Sequence, residues 1–285
     1  MEEIEMKDIS QLSHSQQEEI AGYIKRDNLE TVNKNVVEII PKKTFYTKYG
    51  KRILDIIISL LAIIITLPIN LIIAVVTYFD VGSPIIFSQE RMGKDERIFV
   101  LYKFRNMTNE TDANGELLPA AQRVTKWGKF VRKTSLDELL NFISILKGDM
   151  SIIGPRPVRD FYLPRLNNRH KGMYKVRPGL ECPTPYKVDH FLTWQERFDN
   201  YAWYAENCSF LLDIKLCFRL VAIVFDHKST KVRSNVSYGS FMGYEADGNA
   251  IYTKSVPDRF VEEFLRAHGY QNLDEAAADR FEKNC

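Results

Sequence analysis

The sequence predicts a mixed α+β fold that is attached to a membrane through one apolar helix. Residues 53–79 are almost uninterrupted apolar sequence, two short β-type segments follow, and several later segments carry apolar residues at helical spacing. We therefore divide the 285-residue chain into four parts. These are an N-terminal extension at 1–45, a membrane helix at 46–80, a main domain at 81–240 and a small helical extension at 241–285.

The composition restricts the class of protein. With 45% hydrophobic residues the chain can bury one or two cores, and its net charge of +2 does not indicate a nucleic-acid-binding protein. The four cysteines have no C-x-x-C spacing, which predicts a reducing compartment and neither a disulfide framework nor a zinc site. The first residues, "MEEIEMKDIS", are acidic and polar, so we expect no cleavable signal peptide.

The apolar segment at 53–79 is longer than the roughly 18 residues that a membrane segment needs. Pro68 lies in its middle and predicts a bend, because proline removes an amide donor and clashes with the preceding turn. Both flanks are basic, with Lys42 and Lys43 on the approach, which favours the cytoplasmic side for each. A bent re-entrant hairpin satisfies both flanks. A kinked spanning helix has the same hydropathy, so these residues alone leave the two alternatives open.

The segments after the membrane helix are predicted in chain order. Strands at 84–88 and 98–104 flank a charged Gly-Lys-Asp turn and indicate a β-hairpin. Residues 209–225 form an apolar helix, which belongs either to the core or to the membrane interface. The tail predicts two short helices, one starting at Asp258 and one near Asp274.

The stretch "KTSLDELLNF" at 133–142 places two adjacent carboxylates, Asp137 and Glu138, before a helical run. Ser135 and Glu138 have the spacing of a capping box, in which the serine oxygen accepts an amide and the glutamate reaches back to the cap. Lys147-Gly148 then supplies a typical helix end. On this segment alone, a structural role for the pair is favoured over a catalytic one.

Basic residues gather around this pair along the sequence. They are Lys103, Arg105, Arg132, Lys133, Arg156 and Arg177. Arg156 lies between two prolines that restrict its backbone, and Gly154 before it permits a close backbone approach to a ligand. Guanidinium groups beside a helix N-terminus commonly hold phosphate. Because scattered basic residues usually form a solvated face, each of them alone is weak evidence.

In combination, these motifs resemble a known family. The order "FSQERMG", "YKFRNM", "KTSLDEL", "LKGDMSIIGPRP" and "VRPG" is similar to that of the monotopic phosphoglycosyl transferases of bacteria, also called bacterial sugar transferases. The resemblance extends from about residue 51 to about residue 225. It implies an enzyme that transfers a phospho-sugar from a UDP-sugar to polyprenyl (undecaprenyl) phosphate and so initiates a surface polysaccharide or glycoconjugate.

The resemblance also implies a two-step mechanism and a location. Asp137 would attack the β-phosphorus of the donor, release UMP and carry the phospho-sugar until the polyprenyl phosphate attacks. Residues 81–240 would be a catalytic domain on the cytoplasmic face of the inner membrane. Pro68 matches the helix-breaking proline of the family, which favours the re-entrant hairpin. Whether the chain forms homo-oligomers is left open.

Roles for the remaining residues follow from the same resemblance. Glu138 would assist the acceptor or orient a Mg²⁺ cofactor that Asp137 binds. Substrate-binding roles near the phosphates or the nucleotide fall on Lys103, Arg105, Arg132, Arg156 and Arg177. A helix N-terminus would keep the Asp137 carboxylate ionised and available as a nucleophile.

The chain departs from the family after "VRPG", where it continues "LECPTPYKV" at 180–188. Glu181, Cys182 and Asp189 are therefore candidates for donor specificity, although a rebuilt packing surface is favoured. His170 is either a phosphate contact or a structural histidine. An alternative to the enzyme is an inactive relative that serves as a membrane scaffold through its terminal extensions.

Overall fold

A computed structural model describes residues 5–112, 117–186, 188, 190–225 and 239–282. The helices are α1 (His14–Lys34), α2 (Lys51–Val81), α3 (Ala120–Arg123), α4 (Lys126–Thr134), α5 (Asn141–Lys147), α6 (Asn168–Lys171), α7 (Trp194–Asn207), α8 (Phe210–Phe225), α9 (Asp258–His268) and α10 (Leu273–Glu282). The strands are β1 (Met6–Lys7), β2 (Ile86–Met92), β3 (Ile98–Phe104), β4 (Ser151–Ile153), β5 (Gly179–Glu181), β6 (Phe241–Tyr244), β7 (Ala250–Tyr252) and β8 (Val256–Pro257). They form small two-stranded sheets, so the predicted mixture of helices and strands is confirmed.

Helix α2 is long and apolar enough to cross a membrane. It continues through Pro68, so a break there stays a prediction. The burial of its side chains is the reverse of that in a soluble protein. Large apolar residues such as Ile65 and Phe79 are 70% and 81% exposed, and the polar residues Asp55 and Thr77 are buried. Polar residues that face protein and apolar residues that face outward are the arrangement expected of a helix in lipid.

The first turns of α2 are bonded to the last turn of α5 and to β4. The Arg52 guanidinium donates to the carbonyl oxygens of Ile145 and Leu146 at 2.6 and 2.7 Å. The Asp55 carboxylate accepts the Ser151 hydroxyl at 2.9 Å and the Ile152 amide at 3.0 Å. The N-terminal end of α2 is therefore fixed to α5 and β4.

The last turns of α2 are bonded to α4. The Trp127 indole nitrogen donates to the Thr77 hydroxyl at 3.1 Å, and the Thr125 hydroxyl donates to the Asp80 carboxylate at 2.6 Å. The Arg105 guanidinium donates to the Val81 and Gly82 carbonyl oxygens at the C-terminal end of α2. Both ends of α2 thus contact the same folded domain.

The predicted β-hairpin is confirmed. Strands β2 and β3 pair antiparallel from Ile86 opposite Phe104 to Met92 opposite Ile98, so the first strand starts two residues later than expected and runs further. The inner face packs on α5, where Phe99 and Leu101 of β3 share a core with Ile145 and Met150. This packing places the end of β3 beside the residues that follow α4.

Helix α8 packs one face on the main core, and a place for the other face in the membrane interface stays a prediction. Leu216 is fully buried in the main core, whereas Leu211 and Phe218 on the other side of the helix are 77% and 74% exposed. Its charged residue Asp213 is buried and accepts hydrogen bonds from Lys51 at 2.5 Å and Tyr204 at 2.6 Å. One face therefore belongs to the core, and the opposite face is apolar and exposed.

The two chain ends fold together into what we call the terminal module, residues 5–34 and 239–282. Strand β1 pairs with β8. The two parts bury a shared apolar cluster, in which Ile20 and Ile24 of α1 meet Phe260 and Phe264 of α9. The helices expected at Asp258 and near Asp274 are confirmed as α9 and α10. The hairpin of β6 and β7 before them was not predicted.

Candidate active site

Asp137 and Glu138 lie on a single 3₁₀ turn, Leu136–Glu138, between α4 and α5. The capping-box prediction is wrong. Ser135 has φ of 56°, a left-handed conformation, and makes no capping bond, whereas an N-cap residue needs an extended backbone. The regular helix begins only at Asn141. The turn therefore presents the two carboxylates instead of capping a helix with them.

Asp137 is almost completely buried, with 6% of its surface exposed. Asn106, just beyond the end of β3, donates its side-chain amide to Asp137 Oδ2 at 3.2 Å. Burial raises the pKa of Asp137, and the nearby charges of Lys103 and Arg132 act in the opposite direction. Burial therefore has the largest effect on the pKa of Asp137. The helix dipole that was expected to keep the carboxylate ionised does not arise here, because a three-residue turn is too short to build a macrodipole.

Asn106 is held in place by a close contact with α4. A Cβ atom on Gly128 would lie 2.0 Å from the Asn106 carbonyl oxygen, so only glycine permits this approach. Thr125 caps α4 by accepting the Gly128 amide at 2.8 Å. Sequence reasoning missed Asn106, although it lies within "YKFRNM" beside the basic residues that were singled out.

Glu138 is bound by two cations. Its Oε1 accepts Lys103 Nζ at 2.6 Å and Arg156 Nη2 at 2.5 Å. Burial alone would raise the pKa of Glu138, but the charges of Arg156 and Lys103 outweigh it and the pKa is lowered. The two carboxylates of the pair are thus different: Asp137 is desolvated, and Glu138 is neutralised by its partners.

Arg156 extends this network to strand β5. Its Nη1 donates to the Leu180 carbonyl oxygen at 3.3 Å and lies 3.4 Å from Glu181 Oε2. The backbone before it follows β5 closely, because a Cβ atom on Gly179 would lie 2.2 Å from the Gly154 nitrogen. The close approach predicted at Gly154 is therefore made to the chain's own backbone.

The five cations predicted to bind substrate separate into two groups. Lys103 and Arg156 bond to Glu138, and the exposed Arg132 lies close enough for its charge to act on Asp137. Arg105 is buried and donates to the Val81 and Gly82 carbonyl oxygens at the end of α2. Arg177 donates to the Gly148 carbonyl oxygen at 2.9 Å. Substrate contacts by Arg105 and Arg177 stay predictions.

The residues singled out near the altered loop have structural partners. His170 is buried, with Nδ1 2.6 Å from the Tyr244 hydroxyl and Nε2 2.9 Å from the Asp199 carboxylate, so it joins the terminal module to α7. Cys182 is buried, and its carbonyl oxygen accepts the Asn200 side chain at 2.9 Å. Asp189 lies outside the described residues.

The predicted Mg²⁺ has a limited set of protein ligands. Within the described ranges, no three His, Cys, Asp or Glu side chains come together in a way that would hold a metal ion. Mg²⁺ that acts on phosphates is usually bound through one or two carboxylates together with the substrate's own oxygens. One carboxylate at Asp137 is compatible with Mg²⁺ that is bound mainly through the substrate's oxygens. It is not enough for a metal site made only of protein ligands.

A sequence model of the family described as bacterial sugar transferase matches residues 46–227. The chain belongs to the bacterial sugar transferase family. The resemblance read from the motifs is confirmed, and with it the predicted class of enzyme, a phosphoglycosyl transferase. The match covers α2, the carboxylate pair and α8, and it leaves the terminal module outside.

Relatives of this bacterial sugar transferase include an uncharacterised protein and enzymes named for transfer to undecaprenyl phosphate. It is 35% identical over 193 residues to the "Uncharacterized sugar transferase EpsL" of Bacillus subtilis, covering 68% of this chain and 96% of that one. It is 31% identical to the UDP-N-acetylgalactosamine-undecaprenyl-phosphate N-acetylgalactosaminephosphotransferase of Aeromonas hydrophila, over 73% of this chain and 50% of the relative.

A third relative extends the range of sugars. The chain is 35% identical to the UDP-glucose:undecaprenyl-phosphate glucose-1-phosphate transferase of Klebsiella pneumoniae, over 63% of this chain and 41% of the relative. The chain therefore spans half or less of these two named transferases. Their names differ in the sugar and agree in the lipid acceptor.

Proposed function

We propose that this protein transfers a sugar 1-phosphate from a UDP-sugar to undecaprenyl phosphate at the cytoplasmic face of the inner membrane. The observation that carries the proposal is the difference between the two carboxylates. Asp137 is buried with a raised pKa, while Glu138 beside it is bound by Lys103 and Arg156. The names of the relatives support the reaction type, and the identity of the sugar stays open.

In the first step, a carboxylate oxygen of Asp137 attacks the β-phosphorus of the donor. A P–O bond forms to Asp137, and the bond from the β-phosphorus to the bridging oxygen breaks, so UMP leaves with that oxygen. In the second step, a phosphate oxygen of undecaprenyl phosphate attacks the same phosphorus and releases Asp137. Each step exchanges one P–O bond for another, and the carboxylate is restored.

Burial supports Asp137 in this role. A carboxylate that has lost hydrating water is a better nucleophile than one in bulk solvent, and Asn106 fixes its direction. Because the donor is also an anion, the approach needs positive charge nearby. Lys103 and Arg132 supply that charge in the structure.

Glu138 is placed to hold the cations of the site. Its one oxygen accepts from both Lys103 and Arg156, so the two side chains converge on the same point. We infer that Glu138 positions these cations toward the donor's phosphates. When bound, Mg²⁺ would be held by Asp137 and the donor and would neutralise phosphate charge.

The terminal module supports a re-entrant course for α2. Its α1 precedes the membrane helix and its α9 follows it, yet the two bury one apolar cluster. A bilayer cannot pass between residues that share a dry core, because the apolar surfaces would be exposed again. We therefore place both flanks of α2 on the cytoplasmic side.

The proposal is tested by product analysis in a membrane mimetic. The full chain with undecaprenyl phosphate and a panel of UDP-sugars should release UMP, and Asp137→Asn should abolish the release. Release of UDP would overturn the mechanism, since it would mean direct transfer of the sugar without its phosphate. Absence of any nucleotide release, together with partner binding through the terminal module, would favour the scaffold alternative.

A further inference from the structure

Glu181 is a third carboxylate near the pair, it is joined to Glu138 through Arg156, and neither proposed chemical step uses it. It is the last residue of β5, and its position is set by backbone pairing. Ile153 of β4 lies opposite it in the parallel pair, and the Gly154 amide donates to its carbonyl oxygen at 3.2 Å. The backbone of Glu181 is therefore held opposite Ile153, which precedes Arg156 by three positions in the sequence.

The two carboxylate oxygens of Glu181 have different partners. Oε1 accepts the backbone amide of Cys182 at 3.1 Å, which holds the carboxylate to its own loop. Oε2 lies 3.4 Å from Arg156 Nη1. The Glu181 side chain is 20% exposed, so it contacts the Arg156 guanidinium and is also accessible to solvent.

The guanidinium of Arg156 is held unequally at its two ends. Nη2 is 2.5 Å from Glu138, which is a short charge-assisted bond. Among the residues that the structure describes, the contacts of Nη1 are long, at 3.3 Å to the Leu180 carbonyl oxygen and 3.4 Å to Glu181. Phosphate oxygens bind a guanidinium at about 2.7–2.9 Å. The Nη1 side is therefore the side that a phosphate of the donor can take over.

We propose that Glu181 is a positioning residue that sets donor affinity by competing with the donor's phosphates for Nη1 of Arg156. This inference rests on the proposed function. In the empty site Glu181 keeps Arg156 directed along the line from Glu138 to β5. When the donor binds, its phosphate displaces the Glu181 contact and is repelled by the same carboxylate. Glu181 therefore lowers the affinity for UDP-sugar and for UMP.

Glu181→Gln tests the inference, because it removes the charge and keeps the size and the Cys182 contact. We expect the KM for the UDP-sugar and the Kd for UMP each to fall about three- to tenfold, the effect of one partly exposed charged contact. The KM for undecaprenyl phosphate should not change. A loss of folding or of local packing would raise these constants, so a fall separates the proposed role from a structural one.

Glu206→Gln is the matched control, since Glu206 also pairs with an arginine, Arg169 at 3.5 Å, but on the exposed face of α7. It should leave both constants unchanged. Glu181→Asp keeps the charge and should give a smaller gain than Glu181→Gln. Unchanged or weaker UMP binding in a Glu181→Gln protein with native thermal melting would overturn the inference.

UMP binding by calorimetry keeps this result separate from the proposed function. If the wild-type chain binds UMP but releases none from any donor, the proposed reaction fails while the competition at Arg156 is still measured. If the wild-type chain releases UMP from a donor but Glu181→Gln binds UMP no more tightly than wild type, the competition is contradicted and the reaction stands.

Discussion

The side-chain amide of Asn106 lies 3.2 Å from the carboxylate of Asp137 and joins the end of β3 to the turn that follows α4. The contact connects two segments 31 residues apart at a buried position. Asn106 is itself fixed by Gly128, which approaches its carbonyl oxygen. The direction of the proposed nucleophile is thus set by packing between a strand end and a helix.

Asn106→Leu should reduce turnover more than it reduces donor binding. Leucine keeps the approximate size and removes the hydrogen bond, so Asp137 is free to rotate away from the line of attack. We expect kcat to fall about 10- to 100-fold, in line with the cost of misplacing a reacting group. Steady-state UMP release provides the measurement. A raised KM with unchanged kcat would show that Asn106 contacts the donor instead.

Gly128→Ala should damage the site, and Gly22→Ala serves as its matched control. A Cβ atom at Gly128 would meet the Asn106 carbonyl oxygen at 2.0 Å, whereas a Cβ atom at Gly22 in α1 would meet no atom of the described residues within 4 Å. We expect Gly128→Ala to lower the activity and the melting temperature. The free energy of unfolding should fall by roughly 1–3 kcal/mol. Gly22→Ala should stabilise slightly through helix propensity. Equal effects of the two changes would contradict the packing described at Asn106.

Asp137→Asn should stabilise the protein at neutral pH while it abolishes turnover. Burial raises the pKa of Asp137 in the folded state, so stability falls as pH rises through the unfolded and then the folded pKa, and the loss is complete above both. The neutral amide avoids this loss. We expect the melting temperature at pH 7 to rise by roughly 2–4 °C. The difference from wild type should shrink as pH falls; a destabilised variant at pH 7 would show that the charge is well solvated.

Glu138 should contribute to stability with the opposite pH dependence. Its folded pKa is lowered, since the charges of Arg156 and Lys103 outweigh burial, so its contribution is present above the unfolded pKa and is lost as pH falls through the folded pKa. Glu138→Gln should lower the melting temperature at pH 7 and cost about 100-fold in turnover. The deficit in melting temperature should disappear in acid.

A double-mutant cycle checks that this contribution comes from the ion pairs. Glu138→Gln and Lys103→Met should cost less together than the sum of the single changes, because either one breaks the 2.6 Å contact. Simple additivity of the two free energies of unfolding would mean that the carboxylate and the ammonium do not interact.

The terminal module predicts the labelling of its two halves from one side of the membrane. Glu30→Cys in α1 and Glu262→Cys in α9 each place a thiol at an exposed position, on opposite sides of α2 in sequence. In a background without the native cysteines, an impermeant maleimide should label neither in intact cells and both after lysis. Labelling of Glu30→Cys from outside would contradict the re-entrant course of α2.

The sequence identified the carboxylate pair but not how the chain presents it. The family resemblance of the motif around Asp137 implied a nucleophile, while the spacing of Ser135 and Glu138 also matched a helix cap. What rules out the helix cap is the left-handed conformation of Ser135 and the ion pairs of Glu138 with residues distant in sequence. Neither feature can be predicted from the spacing of neighbouring residues.

Long-range contacts explain the other differences. Asn106 is a neutral amide after a strand, and it becomes part of the site only because α4 packs on it. The two chain ends each appeared to be an independent extension, since pairing between residues more than 200 positions apart leaves no local pattern. The apolar run, the β-hairpin and the tail helices were predicted correctly because their signals are local.

The covalent bond between Asp137 and phosphorus can be observed by mass spectrometry. The full chain is mixed with a UDP-sugar in the absence of undecaprenyl phosphate, quenched and digested. We expect the peptide containing Asp137 to gain the mass of one phospho-sugar, with one UMP released for each adduct, and to lose the adduct when undecaprenyl phosphate is added. An unmodified peptide from an enzyme that still turns over fully with the acceptor present would contradict the covalent mechanism.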